Sequence, residues 1–351
     1  MKKVNVLIVD DSALIRKLFT ELLSGEEDIV VVDTAVDPID AREKIKRLNP
    51  DVITLDIEMP KMDGLSFLEK IMTLRPMPVV MVSTLTQKGA AATIRALELG
   101  AVDYVSKPLG NQTDDVLANL KEQLISKVRA AASANVKQRS RVSQDAKPKI
   151  VAYKPKINSR SIIAIGSSTG GVEALRDIFQ MLPANSPPIV MTQHMPEQFT
   201  TSFADRLNNL SEVNVCEGFE GAKLKSGQAY LAPGGKHMSV VKKGGEFFIK
   251  ISDGPTVSGH KPSVDVLFNS VAEHIGADAV GVILTGMGKD GAEGMLKMRQ
   301  AGSYNVGQNQ NSCVVYGMPK AAFNLGAVEH ELPLLDIAAN ILHYCENGRK
   351  D

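Results

Sequence analysis

Cysteine is scarce: three residues in 351, at Cys216, Cys313 and Cys345, scattered too widely for a disulfide framework or a metal knuckle. A reducing cytoplasm is therefore the expected compartment. Net charge is absent too, since 40 basic and 40 acidic side chains cancel. Nothing draws the chain as a whole to nucleic acid or to an anionic membrane. No apolar run approaches the roughly 20 residues of a membrane helix. The first residues are two lysines and a short strand that meets Asp10 and Asp11, which is not the pattern of a signal peptide. With 44% hydrophobic and 23% charged residues, the composition is that of a soluble globular protein. At this length, two α/β domains of ordinary size are expected in preference to one core.

Up to residue 126, apolar runs at Val4–Val9, Ile29–Val32, Val52–Leu55, Val79–Val82 and Tyr104–Val105 alternate with helical patterns such as Ala13–Leu23, Ala41–Leu48 and Ala91–Leu99. Five such units predict a flavodoxin-like, doubly wound parallel sheet. A last helix starts near Thr113, with Leu117, Leu120, Leu124 and Val128 as its apolar stripe. Residues 127–160 lose the pattern and are rich in Lys, Arg, Ala, Ser and Gln, with Asp145 the one acid. This reads as a basic, flexible linker; a nucleic-acid arm would interleave aromatics among its basic residues, and this stretch shows no such interleaving. Residues 161–351 return to alternation, with strands near Ile162–Ile165, Ile189–Gln193, Val280–Leu284 and Tyr304–Val306. Short Gly-punctuated segments between Val213 and Ile251 look like hairpins or added antiparallel strands. The second domain is thus expected to be doubly wound and mostly parallel, with some antiparallel strands.

Ligands collect at the carboxyl ends of parallel strands. In the first half those ends carry Asp10 and Asp11, then Asp56, Ser83 and Lys107. Three carboxylates together repel one another and favour a hard, oxygen-loving cation, with Mg²⁺ the expected one. A carboxylate acceptor, a metal and a lysine to neutralise phosphoryl charge, and a hydroxyl to sense it form a coherent phosphoacceptor set. The stretches Ile8-Val9-Asp10-Asp11-Ser12, Leu55-Asp56-Ile57-Glu58-Met59-Pro60, Met62-Asp63-Gly64 and Ser106-Lys107-Pro108 resemble the receiver domain of two-component response regulators. The resemblance implies that Asp56 is phosphorylated by a histidine kinase and that Ser83 and Tyr104 rearrange in response.

In the second half, strand ends present Ser167 and Ser168, then His194, then Asp290. If these strands are parallel neighbours, a serine, an imidazole and a carboxylate share one edge. Acylation of a hydroxyl needs such a base and such an orienting carboxylate. The chain order Ser, His, Asp and the lack of a Gly-x-Ser-x-Gly elbow set it apart from the α/β-hydrolases. The alternative is a helix-capping turn that holds an anion, as in a ligand-binding module. Among the other histidines, His260 rivals His194 or could line a substrate groove, and His237 precedes a strand and could face the other edge. No two histidines have zinc-type spacing, so no metal is expected in this half. A DNA-binding regulator is disfavoured, since no helix-turn-helix pattern follows the linker.

Gly166–Gly171, Gln193-His194-Met195-Pro196, Ala232-Pro233-Gly234, Pro262-Ser263-Val264-Asp265 and Thr285–Gly291 resemble the catalytic domain of the chemotaxis methylesterases, the CheB family, from Ile162 to Val328. The resemblance implies hydrolysis of glutamate γ-methyl esters on chemoreceptors and deamidation of receptor glutamines. It makes Ser168 the nucleophile, His194 the base, Asp290 its orienting carboxylate and the Met287 backbone N–H an oxyanion donor, with no cofactor for the ester reaction. The family usually has alanine before the nucleophile, where this chain has Ser167, so two adjacent hydroxyls compete for the register. The receiver in front is expected to cover the esterase edge until Asp56 is phosphorylated.

Overall fold

Both halves are built on parallel sheets whose central strands are buried on both faces, which is why those strands read as unbroken apolar runs. The computed structural model of the chain describes residues 3–59, 62–84, 86–108, 113–136, 149–154 and 161–348. It divides into two units, Met1–Asp145 and Ala146–Asp351. Among the described residues no helix is long and apolar enough to cross a membrane.

The first unit alternates β1 (Val4–Val9), β2 (Ile29–Ala35), β3 (Val52–Asp56), β4 (Val79–Ser83) and β5 (Asp103–Ser106) with α1 (Ala13–Ser24), α2 (Pro38–Leu48), α3 (Gly64–Leu74), α4 (Gln87–Glu98) and α5 (Asp114–Ala132). Its five strands are ordered β2-β1-β3-β4-β5, every pair parallel. The chain leaves β1 in one direction and later returns to its other side, so a crevice opens between the carboxyl ends of β1 and β3. Helices start at these ends on side-chain caps: Ser12 accepts from the Ile15 N–H, Asp63 from the Ser66 N–H and Thr86 from the Gly89 N–H.

Helix α5 continues past the boundary expected at residue 126 and ends at Ala132. The reason is packing: Val128, Ala130 and Ala131 are buried, and Arg129 pairs with Glu26 and Asp28 at 2.8 and 2.7 Å. At the far end of the expected linker, the Val151 N–H donates to the Met181 carbonyl and Tyr153 is buried within the second unit. Residues 137–148 and 155–160 of that stretch lie outside the described residues.

The second unit comprises β6 (Ile162–Ser167), α6 (Gly171–Phe179), β7 (Ile189–Gln193), α7 (Glu197–Leu210), β8 (Asn214–Glu217), β9 (Gln228–Leu231), β10 (His237–Lys243), β11 (Glu246–Ser252), α8 (Val264–His274), β12 (Ala279–Ile283), α9 (Ala292–Gln300), β13 (Tyr304–Gln308), α10 (Met318–Asn324), β14 (His330–Leu332) and α11 (Leu334–Asn347). Seven strands form one sheet in the order β14-β13-β12-β6-β7-β9-β8. Every pair in it is parallel. Strand β6 lies between β7 and β12, which makes its carboxyl end the point where the winding reverses.

The expectation of antiparallel strands between Val213 and Ile251 holds only for the β10–β11 hairpin, which turns on Gly244 and Gly245, both at positive φ. Strands β8 and β9 instead join the main sheet in parallel. Their connection crosses over the hairpin: Leu224 donates to the Phe247 carbonyl and Ile249 to the Ala222 carbonyl. Residues 218–227 thus make the crossover without a helix, running along β11. Its apolar face, with Met238, Val240 and Ile249, shares a core with Tyr230, Leu224 and Leu267 of α8.

Candidate active site

The first unit brings Asp10, Asp11 and Asp56 together, with one carboxylate oxygen of each within 4.8 Å of the others. Asp10 and Asp56 are buried and Asp11 is exposed. The ammonium of Lys107 lies 3.0 Å from Asp10 Oδ2 and 2.8 Å from Asp56 Oδ2. Burial pushes the Asp56 carboxyl up; the Lys107 hydrogen bond pulls it down, and the charge of Asp10 pushes it up again, leaving it near about 6. Burial also raises Asp10. One lysine does not balance this much negative charge, and an all-oxygen donor set of this kind fits a hard dication such as Mg²⁺.

Ser83 is buried, and its hydroxyl accepts from Thr93 Oγ1 at 2.7 Å, which ties it to α4. Tyr104 is buried, with the Lys127 ammonium 4.5 Å from its ring centroid. The carboxylate cluster carries a direct expectation. Asp56→Asn should stabilise the metal-free first unit at neutral pH, because it removes a buried charge that the fold disfavours. The melting temperature should rise by a few degrees, at about 2–8 °C per kcal/mol. An unchanged or lower melting point in chelator would contradict the charge argument.

The two hydroxyls at the end of β6 stand in different surroundings. Ser167 is fully buried and donates from Oγ to Gln193 Oε1 at 2.7 Å. Ser168 is half-buried. Its backbone is held on three sides: its N–H donates to the Thr285 carbonyl at 3.0 Å, and its carbonyl accepts from Gly171 N–H at 2.7 Å and from Gln193 Nε2 at 3.0 Å. Gln193 Nε2 also donates to the His194 carbonyl at 3.2 Å. One buried amide therefore ties the ends of β6 and β7 together, a role that no motif announced. The turn after β12 closes on the same point, for a Cβ added at Gly286 would lie 2.8 Å from Ser168 Cβ. Met287, the next residue, is half-buried in that turn.

The His194 N–H donates to the Ser167 carbonyl at 3.1 Å, and its Nε2 lies 2.7 Å from Asp290 Oδ2. Its Nδ1 is buried and makes no hydrogen bond with the described residues. The carboxylate of Asp290 sits at the start of α8. Oδ1 accepts from Ser263 Oγ at 2.8 Å and from the Asp265 N–H at 3.0 Å, and Oδ2 accepts from the Val264 N–H at 2.8 Å. Burial alone would raise this carboxyl; the hydrogen bond and charge of His194, with the two backbone N–H groups, outweigh it and hold it at about 2. An ionised carboxylate only accepts, so in the neutral ring Nε2 carries the proton and Nδ1 is the nitrogen with the lone pair.

Asp265 returns the favour across the helix pair. It lies in the first turn of α8, and its Oδ1 accepts the Gly294 N–H of α9 at 2.8 Å. Each carboxylate thus caps the other's helix, which fixes where Asp290 stands.

The ring of His260 stacks on that of His194, with centroids 3.7 Å apart and planes 7° from parallel. His194, His260 and Asp290 each place a ligand atom within 4.8 Å of the others. A metal must lie in the plane of each imidazole it binds, however, and two parallel rings share no such point. His237 does not face the opposite edge, as its sequence position suggested. It is buried, with Nε2 2.8 Å from the Pro255 carbonyl and Nδ1 accepting from the Ser263 N–H at 3.2 Å, and so supports the segment that carries Ser263. His274 ends α8, while His330 and His343 lie in β14 and α11, in the last part of the chain.

Comparison with known proteins agrees with both halves. Residues 163–341 match the CheB methylesterase family and residues 6–120 the response regulator receiver domain. The chain is 52% identical over 349 residues, 99% of each chain, to the protein-glutamate methylesterase/protein-glutamine glutaminase of Salmonella typhimurium. It is 50% identical over the same length and coverage to the protein of that name from Pectobacterium atrosepticum. Among solved structures, the CheB methylesterase catalytic domain of Thermotoga maritima shares 38% identity and a TM-score of 0.52, covering 53% of this chain and 98% of that one. On the match to its second half and the full-length agreement with these relatives, the chain belongs to the CheB methylesterase family, with a response regulator receiver domain ahead of the esterase domain.

Proposed function

We propose that this protein hydrolyses glutamate γ-methyl esters on methyl-accepting chemotaxis receptors and deamidates receptor glutamines, in the cytoplasm, through Ser168, His194 and Asp290. The observation that carries this reading is His194: its Nε2 is 2.7 Å from a carboxylate held ionised, and its Nδ1 has no hydrogen-bond partner among the described residues. Nδ1 takes the Ser168 proton as Oγ bonds to the side-chain carbonyl carbon. The carbonyl oxygen gathers negative charge, for which the Met287 N–H is the proposed donor. The tetrahedral adduct collapses as the proton passes from Nδ1 to the methoxy oxygen or amide nitrogen, whose bond to carbon breaks to release methanol or ammonia. Water repeats the sequence on the acyl-serine and releases glutamate. Asp290 keeps its charge throughout and offsets that of the imidazolium.

Regulation follows from the receiver. Asp56 is the proposed phosphoacceptor, with a chemotaxis histidine kinase as donor, and Ser83, Tyr104 and Lys107 as the groups that respond. Asp10, Asp11 and Asp56 would hold Mg²⁺, which when bound offsets charge on the transferring phosphoryl group. Phosphorylation is proposed to open access to the esterase edge. A shift from mostly closed to mostly open needs up to about 5.5 kcal/mol of differential stabilisation.

The test is methanol release from methylated receptor membranes, with and without a small-molecule phosphodonor. Wild type should respond to the donor, Asp56→Asn should not, and Ser168→Ala should release nothing. Phosphodonor-independent release by wild type would defeat the regulatory part. Unchanged or reduced activity after deletion of residues 1–140 would defeat the blocking part.

A further inference from the structure

A hydrogen bond at Nε2 restrains an imidazole less against rotation about its Cβ–Cγ bond than one at Nδ1 would. Nε2 lies nearer that axis than Nδ1, and its hydrogen bond points more nearly along it. In His194 the Nε2 contact is the Asp290 carboxylate, and among the described residues Nδ1 has no hydrogen-bond partner to resist the swing. What meets the face of the ring is the parallel ring of His260, 3.7 Å away.

His260 is itself held firmly. Its Nδ1 lies 2.8 Å from the Ser258 carbonyl. Its backbone exchanges two hydrogen bonds with Val257, at 3.0 and 2.9 Å. Ser258 takes a left-handed backbone, φ 52, which a non-glycine residue adopts only when its surroundings require it. Its hydroxyl donates to Asp265 Oδ2 at 2.9 Å. Asp265 is the same carboxylate that caps α9, and its N–H donates to Asp290. Both partners of His194 are therefore referenced to one α8–α9 junction: Asp290 at the ring edge and His260 on the ring face.

We propose that His260 is a positioning residue, whose ring fixes the plane of the His194 imidazole and so the direction of Nδ1. This rests on the reading of His194 as the base. A flat ring is what the task requires; its nitrogens serve only to seat it.

The test compares His260→Ala and His260→Phe in the full chain. Methanol release should show kcat lowered about 10- to 100-fold in the alanine variant, the scale of a small misplacement of a catalytic group, with KM unchanged. Phenylalanine should restore most of the loss. The His194 Nε2–H proton resonance, read in histidine-labelled protein, should stay sharp in wild type and His260→Phe and broaden in His260→Ala. Full activity in His260→Ala, a change confined to KM, or a phenylalanine variant as poor as alanine would each overturn the proposal. Activity surviving in Ser168→Ala would instead overturn the hydrolase reading, and the resonance measurement would still judge the stack.

Discussion

Ser168→Ala is expected to lower methanol release by about 10⁴- to 10⁶-fold, the range found when a triad nucleophile is removed, whereas Ser167→Ala should keep most of the activity. The two hydroxyls are adjacent in sequence but have different neighbours. Ser167 Oγ is fully buried and its proton is committed to Gln193 Oε1. A nucleophile needs a path to substrate and a base that can reach it, and this hydroxyl has the wrong partner for both. Removing it leaves Gln193 Oε1 without its donor in a buried place, at a cost of about 1–3 kcal/mol. Because Gln193 also holds the Ser168 and His194 carbonyls, Ser167→Ala should lower the melting temperature and trim kcat modestly. The opposite pattern, with Ser167→Ala inactive and Ser168→Ala active, would move the nucleophile by one position.

The strand ends were legible because parallel strands buried on both faces are written as apolar runs. The residues at or just beyond those ends, Asp10, Asp56, Ser168 and His194, and Asp290 in the turn between β12 and α9, are therefore legible in the sequence as candidates that share an edge. Strand direction was not legible between Val213 and Ile251. Period-two alternation is the same for parallel and antiparallel neighbours, and the glycines at 221 and 227 suggest tight hairpins where the chain in fact runs along β11. The groups that support the site were hidden for another reason. Gln193 is a polar residue at a strand end, which usually faces water; its partners come from the neighbouring strand and are found only once the register of β6 and β7 is known. His260 lies in a polar loop, and its contact with His194 spans a long stretch of chain. The mutual capping by Asp265 and Asp290 likewise depends on how α8 and α9 pack.

Asp290→Asn should be nearly as damaging as loss of the nucleophile, for a reason visible in its hydrogen bonds. Every group facing this carboxylate is a donor: Ser263 Oγ and the Asp265 N–H on one oxygen, the Val264 N–H and His194 Nε2 on the other. An asparagine amide must turn its NH₂ toward one of these pairs. Turned toward His194, it requires the ring to accept at Nε2 and hence to carry its proton on Nδ1, where it cannot take one from Ser168; loss of the right tautomer costs about 10⁴ in rate. Turned the other way, it faces the Asp265 N–H and strands a buried donor, at about 1–3 kcal/mol. Either orientation sets the NH₂ against one backbone N–H of α8, so stability should fall with activity. The pH dependence adds a signature. A carboxyl held at about 2 when folded, below its ordinary value of 3.8, contributes stability that is complete above the ordinary carboxylate range and disappears as pH falls toward 2. The wild-type melting temperature should therefore exceed that of Asp290→Asn at neutral pH, with the gap narrowing as acid is added below pH about 4. A gap that stays constant into acid, or a variant with near-normal methanol release, would show that the charge of Asp290 does not hold His194 in its working state.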